Sequence, residues 1–128
     1  MADQRVLVID DEECVRDAFV DALEDMQCTV VAAPSGMDGV RHVESGPVNL
    51  VFLDLKMPNM DGVETLRRIR AIDKEVPVYV VTAFHAEFLD KLQTAEDEGL
   101  VFELLHKPIG HTAIRKVTSS VLGLPQFV

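Results

Sequence analysis

The chain has 128 residues, 48% of them apolar, which is enough for one packed domain and too many for a disordered or collagen-like segment. Its 22 acidic residues outnumber 12 basic ones and leave a net charge of -10, which disfavours unaided binding to nucleic acid or anionic lipid. Two cysteines, Cys14 and Cys28, are too few for a disulfide scaffold and lack metal-ligand spacing, so a reducing cytoplasm is the expected setting.

Residues 1–5 carry no basic stretch followed by a long apolar core, so no secretory signal is visible. Residues 6–9 are apolar in succession, as in a strand buried on both faces of a parallel sheet. Val15, Phe19, Ala22, Leu23 and Met26 then fall at i, i+4, i+7, i+8 and i+11, the stripe of an amphipathic helix. Residues 29–32 predict a second strand, and residues 37–43 a short helix after the Pro34-Ser35-Gly36 break. A third strand is expected over 50–53 beyond Gly46-Pro47, followed by the breaker-rich loop 58–62. Val63, Leu66, Ile69 and Ile72 form the next helical stripe, with Arg67, Arg68 and Arg70 off it as a solvated face. Residues 78–81 predict a fourth strand, 88–95 a short helix, and 101–105 a fifth strand after Gly99. Ile114, Val117 and Val121 mark the last helix.

Even the longest of these apolar runs are far below the roughly 20 residues of a membrane span. Cys14 and Cys28 read as small apolar fillers. His42, His85, His106 and His111 are scattered over different elements and read as surface or loop residues. Five strands interleaved with five helices predict a doubly wound parallel sheet with helices on both faces, because parallel neighbours need crossover connections.

Ligands of such sheets bind beyond the carboxyl ends of the strands. Those positions hold Asp10, Asp11, Glu12 and Glu13 after the first strand, Asp54 after the third, Thr82 and Ala83 after the fourth, and His106, Lys107 and Pro108 after the fifth. Each acid alone also reads as a helix N-cap or a partner for a helix dipole. Converging carboxylates repel each other and raise their own pKa values unless a cation relieves them, and a hard divalent ion such as Mg2+ suits oxygen ligands. A cation, an ammonium and a hydroxyl are what a transferring phosphoryl group requires, with a carboxylate as its acceptor.

The residues resemble the receiver domain of two-component response regulators. The matching segments are 6–12 (VLVIDDE), 53–62 (LDLKMPNMDG), 80–83 (VVTA) and 107–109 (KPI), in the family's order, and the MPNMDG segment is the most specific. The resemblance implies a flavodoxin-like sheet of order 2-1-3-4-5, with residues 1–123 as the phosphoacceptor domain and 124–128 as a tail or the start of a linker. It implies that Asp54 accepts a phosphoryl group from a histidine kinase, a phosphotransfer protein or a small phosphodonor. Asp11 and Asp54 would ligate Mg2+ (Mn2+ being the alternative ion), with the Lys56 backbone carbonyl as a further ligand and Asp10 acting through metal-bound water. Thr82 and Lys107 would bond phosphoryl oxygens, while Lys56 and the small Ala83 border the group. The Lys107-Pro108 bond is a candidate cis peptide.

The phosphoryl charge would draw Thr82 inward and bias the face of helix four, strand five and helix five toward a partner protein, an effector domain or a second copy. Two departures from the family stand out. Leu104 occupies the aromatic switch position three residues before the lysine, with Phe102 the nearest aromatic, and one extra residue falls near 100–103. Lys56 and Phe84 occupy positions that modulate phosphoryl lifetime, Phe84 as a shield against water.

Three rivals are weighed against this. A dehalogenase-type phosphoaspartate hydrolase wants a second Asp where Lys56 stands, and an electron carrier of the flavodoxin type wants a phosphate loop where Asp10 and Asp11 stand. A pseudo-receiver, a phosphorylation-independent interaction module, normally lacks an acid, the acceptor or the lysine, all of which are retained. The expected role is a signalling switch that phosphorylates and dephosphorylates itself, not a metabolic enzyme.

Overall fold

The computed structural model describes residues 4–83 and 86–125. Its elements alternate as β1 (Arg5–Ile9), α1 (Glu13–Leu23), β2 (Thr29–Ala33), α2 (Gly36–Ser45), β3 (Leu50–Asp54), α3 (Gly62–Ile72), β4 (Val78–Thr82), α4 (Ala86–Asp97), β5 (Glu103–His106) and α5 (His111–Leu122). All strands pair in parallel in one sheet of order β2-β1-β3-β4-β5, the topology expected from the sequence. Every residue of β3 is buried, as are all of β1 but Arg5, which is why these strands are unbroken apolar runs.

The sheet separates two apolar clusters. On one face Phe19, Ala22 and Leu23 of α1 meet Ile114 and Leu122 of α5 over Val8 and Phe52. The Phe19 and Phe52 rings lie 4.8 Å apart and tilted, a favoured aromatic arrangement. On the other face Val40 and Val43 of α2, Leu66 and Ile69 of α3, and Phe88, Leu92 and Ala95 of α4 cover Leu7, Ile9, Leu53 and Val80. Each helix spends its apolar stripe on one face, so all strand ends remain free along a single edge.

Several local expectations are corrected. Ile72 is exposed, and α5 buries Ile114, Thr118 and Leu122 where the sequence stripe ran through Val117 and Val121, which are half-buried. Met26 is buried but lies beyond the end of α1. Cys14 is exposed and fills no core, whereas Cys28 packs half-buried against the α1–α5 cluster.

Arg70 is the largest correction. It is buried, and its guanidinium donates to the carbonyls of Val101 (3.1 and 2.7 Å), Val76 (2.6 Å) and Asp73 (3.2 Å). That clamp ties the α3–β4 turn to the segment before β5. With the Val101 carbonyl held by Arg70, the β4–β5 ladder begins at the Tyr79–Glu103 pair, and the strand expected over 101–105 starts two residues later.

A lysine has one compact ammonium and cannot span three carbonyls in a planar fork. Arg70→Lys is therefore expected to cost about 2 kcal/mol of unfolding free energy in urea titration, through buried carbonyls left short of a donor. A variant as stable as the parent would show that the clamp carries no stabilisation.

Candidate functional site

The sheet register brings four strand ends to one place. Asp54 closes β3 and Thr82 closes β4, while Asp10 and Lys107 follow β1 and β5 directly. Asp10 is 3% exposed, Asp54 and Thr82 are each 4% exposed, and all three sit at the rim of an apolar sheet. Lys107 Nζ reaches Asp54 Oδ1 at 2.8 Å and Asp10 Oδ2 at 3.5 Å. The backbone fixes this ammonium, since the Lys107 amide donates to the Thr82 carbonyl at 2.9 Å. The following Lys107-Pro108 peptide is cis, as anticipated.

Electrostatics here are unbalanced. Burial pushes the Asp54 carboxyl up to about 6; the Lys107 hydrogen bond opposes this, and the Asp10 and Asp11 charges add to it. Asp10 is also raised, mainly by burial, against the pull of the Glu12 amide and the Lys107 charge. Burial works against the Lys107 ammonium, but the Asp54 hydrogen bond and the Asp54 and Asp10 charges outweigh it and hold its pKa above the ordinary value. One ammonium thus faces several carboxylates.

The acidic run after β1 is not spent on capping α1. Glu12 stands at the N-cap position but makes no side-chain cap bond, and its amide donates to Asp10 Oδ1 at 2.9 Å. Carboxylate oxygens of Asp10, Asp11 and Glu12 instead lie within 4.8 Å of one another. An all-oxygen, excess-negative donor set beside a carboxyl with a raised pKa fits a hard divalent cation such as Mg2+. Of the sequence-assigned ligands, Asp10 and Asp11 belong to this cluster, Asp54 contacts Lys107 at its border, and Glu12 joins as a member the ligand assignment omitted.

A cavity of about 270 Å³ opens over Asp54, lined by Glu12, Lys56, Thr82, Ala83, Phe88 and Lys107. Lys56 and Ala83, which the resemblance places beside a phosphoryl group, both line this cavity with Asp54. Phe84 lies outside the described residues. Phe88, read only as part of a short helix over 88–95, supplies an apolar wall of this cavity. Leu104 pairs with Val80 on the edge strand and is 39% exposed, while Phe102 packs against the α2–α4 cluster.

Gly62 seats the loop after Asp54. A Cβ there would lie 2.6 Å from the Asp54 carbonyl oxygen and 2.7 Å from Leu55 Cα, both backbone atoms that cannot swing aside. Asn59 turns the same loop with a positive φ of 68°. Asp61 then caps α3 by accepting the Glu64 amide at 2.9 Å.

A family model described as the response regulator receiver domain matches residues 6–119. The chain belongs to that family. The receiver is 37% identical over 109 residues to a protein-glutamate methylesterase/protein-glutamine glutaminase of Natronomonas pharaonis, covering 84% of this chain and 30% of that one. It is 28% identical over 124 residues to sporulation initiation phosphotransferase F of Bacillus subtilis, covering 97% of this chain and 98% of the relative. Among solved structures it resembles the receiver domain of a sensor histidine kinase from Pseudomonas aeruginosa, which has a magnesium ion coordinated in its active-site cleft. That match has a TM-score of 0.78 at 22% identity and covers 95% of this chain and 99% of that domain. The receiver thus spans under a third of one relative and nearly all of another. Among the described residues, no helix is long and apolar enough to cross a membrane.

Two outcomes follow for the receiver. Gly62→Ala must displace the Asp54–Leu55 backbone or the start of α3, so it is expected to destabilise by about 1–3 kcal/mol in urea titration. A variant as stable as the parent would show that the backbone absorbs the added Cβ without cost. The second outcome concerns pH. Between the ordinary value of 3.8 and about 6 the unfolded chain has released the Asp54 proton that the folded protein still holds. Metal-free protein therefore loses stability as pH rises through that window, and the loss is complete above it. Asp54→Asn is expected to match the parent near pH 4 and to exceed it above pH 6 by on the order of 2 kcal/mol in urea titrations with a chelator, Mg2+ narrowing the gap. A pH-independent difference would mean that burial does not raise this carboxyl.

Proposed function

We propose that this receiver is a phosphoacceptor switch that takes a phosphoryl group on Asp54 from a kinase phosphohistidine or a small acyl-phosphate-type donor. The observation that carries the reading is the 2.8 Å contact of Lys107 with a buried Asp54 at the floor of a cavity that also holds Thr82. Asp54 is ionised at neutral pH, with a pKa of about 6, and is a carboxylate nucleophile with no competing acid two residues on, where Lys56 stands.

In uptake, an Asp54 carboxylate oxygen attacks phosphorus in line, an O–P bond forms, and the N–P bond to the donor imidazole breaks. The nitrogen keeps the electron pair and takes a proton from solvent. Lys107 follows one phosphoryl oxygen as charge develops, the Thr82 hydroxyl donates to a second, and Ala83 leaves the approach open. In turnover, water attacks phosphorus and the O–P bond breaks, regenerating the carboxylate and releasing inorganic phosphate. Asp10 and Asp11, with Asp54, the Lys56 carbonyl and the neighbouring Glu12, would hold Mg2+. That ion, when bound, neutralises phosphoryl and carboxylate charge.

The output follows from the same charge. A phosphoryl group adds about −1.5 to −2 charge beside Thr82, drawing its hydroxyl inward. The face of α4, β5 and α5 is the proposed readout, carrying exposed Leu89 and Leu104 for an effector, a partner protein or a second copy. With Leu at 104 this readout works through packing. The match to sporulation initiation phosphotransferase F, over 97% of this chain and 98% of that protein at 28% identity, supports a signalling role in which the domain carries out no metabolic reaction.

Incubation with Mg2+ and a small phosphodonor, followed by intact-mass measurement, tests the reading. The parent is expected to gain one phosphoryl group, and Asp54→Asn and Mg2+-free samples none. A folded parent that gains nothing would leave a phosphorylation-independent interaction module as the better reading.

A further inference from the structure

We propose that Lys91 of α4 is a positioning residue that holds the Phe88 ring as a wall of the acceptor cavity, and that this latch limits how fast water reaches phosphorylated Asp54. The inference rests on the phosphoacceptor reading and deepens it by naming what controls the lifetime of the modified state. Phe88 lies in the first turn of α4, is 8% exposed, and lines the cavity together with Asp54, Thr82 and Lys107. Among the described lining residues it is the one aromatic; several of the others are polar or charged. Its ring is an apolar wall of the described part of this cavity.

Packing from above comes from Lys91. Three residues on along α4 it lies on the same helix face as Phe88, with Nζ 5.4 Å from the ring centroid, within cation–π range. The same ammonium reaches Asp61 Oδ2 at 2.9 Å. Asp61 is not a free surface acid, because its other oxygen accepts the Glu64 amide at the start of α3. Partial burial opposes its ionisation, but the Glu64 amide and Lys91 outweigh this and hold its pKa below the usual carboxylate value. Lys91 therefore joins three things: the ring beside the acceptor, the loop that carries the acceptor into α3, and the first turns of α4.

The far end of α4 is fastened independently. Arg67 of α3 makes a bidentate pair with Glu98, at 2.8 and 2.9 Å, just past the end of the helix. Phe88, Leu92 and Ala95 all dock α4 on the same apolar cluster, so with the far end pinned, release of Lys91 would loosen the first turn about Phe88 without undocking the helix. Lys91 is 51% exposed, so its pair with Asp61 is open to screening by salt.

The lifetime of the phosphorylated protein tests this, read by intact mass after removal of the donor, at 0.05 and 1 M NaCl. At low salt Lys91→Gln is expected to lose its phosphoryl group about 2- to 5-fold faster than the parent, and Lys91→Arg, which keeps the cation, at close to the parental rate. At high salt the parent is expected to approach Lys91→Gln, whose own rate changes little. A second readout needs neither phosphate nor metal: amide hydrogen exchange of residues 88–92 in the unmodified protein is expected to quicken in Lys91→Gln and, with salt, in the parent. Parental lifetime in Lys91→Gln at both salts, or equal loss in the Gln and Arg variants, would overturn the latch. A parent that never gains the phosphoryl group would sink the acceptor reading instead, and the exchange experiment alone would then decide whether Lys91 holds the first turn of α4.

Discussion

Everything at the edge of this sheet depends on one imbalance: buried carboxylates held together by a single ammonium. Lys107 touches both Asp10 and Asp54, yet burial still keeps the Asp54 carboxyl at about 6. A buried pair of charges recovers its desolvation cost only when further groups complete it. Here the neighbours Asp11 and Glu12 add charge of the wrong sign, so the site is satisfied only by something positive or by a change in what Asp54 carries. A structure poised in this way responds strongly to cations, because a bound cation removes a repulsion that the fold cannot relieve.

The fold sustains this by rigid means. β1 and β3 are the central strands, buried on both faces, and they deliver Asp10 and Asp54 with little freedom to move apart. Gly62 lets α3 begin directly against the Asp54 backbone, and at Gly39 a Cβ would lie 2.3 Å from the side chain of Ile9 in β1. Ser35 and Asp61 cap α2 and α3 with their own side chains, at 3.2 and 2.9 Å. The N-terminus of α1 has no such side-chain cap, and the acids there remain turned to the site. Local capping chemistry and site chemistry are thus kept apart even though both use the same residue types.

Where a group's role is set by its place along the chain, the sequence displayed it. Strands buried on both faces are unbroken apolar runs, so the first polar residue after each run marks the edge of the sheet, and Asp10, Asp54 and Thr82 were legible for that reason, whereas Lys107 follows His106 on the exposed edge strand and was legible as part of the KPI segment. Groups whose role is set by a tertiary partner were not. Arg70 lies off the apolar stripe of α3 and looked solvated, because its partners are backbone carbonyls at Val76 and Val101, which have no side-chain signature. Phe88 carried the spacing of a core residue, and only the fold reveals that one side of its ring borders a cavity. Cys14 erred the other way, a small apolar residue beside an apolar stripe that nonetheless stays exposed.

On the proposed reading, the route from Asp54 to the edge of the sheet is narrowed by Leu104. A side chain with no hydroxyl cannot exchange one hydrogen bond for another as Thr82 moves, so a polar relay through that position is chemically closed. The backbone offers what the side chain does not. Thr82 accepts the Lys107 amide at 2.9 Å and stands in register with His106, while Val80 faces Leu104 two residues back. An inward pull on Thr82 is therefore a pull on the end of β5 itself, and β5 is short, at the sheet edge, and clamped near its start by Arg70. On the proposed switching reading, β5, held near its start by Arg70 and drawn at its end through Thr82, would carry Leu104 through its backbone and take the part that a rotating aromatic ring would play.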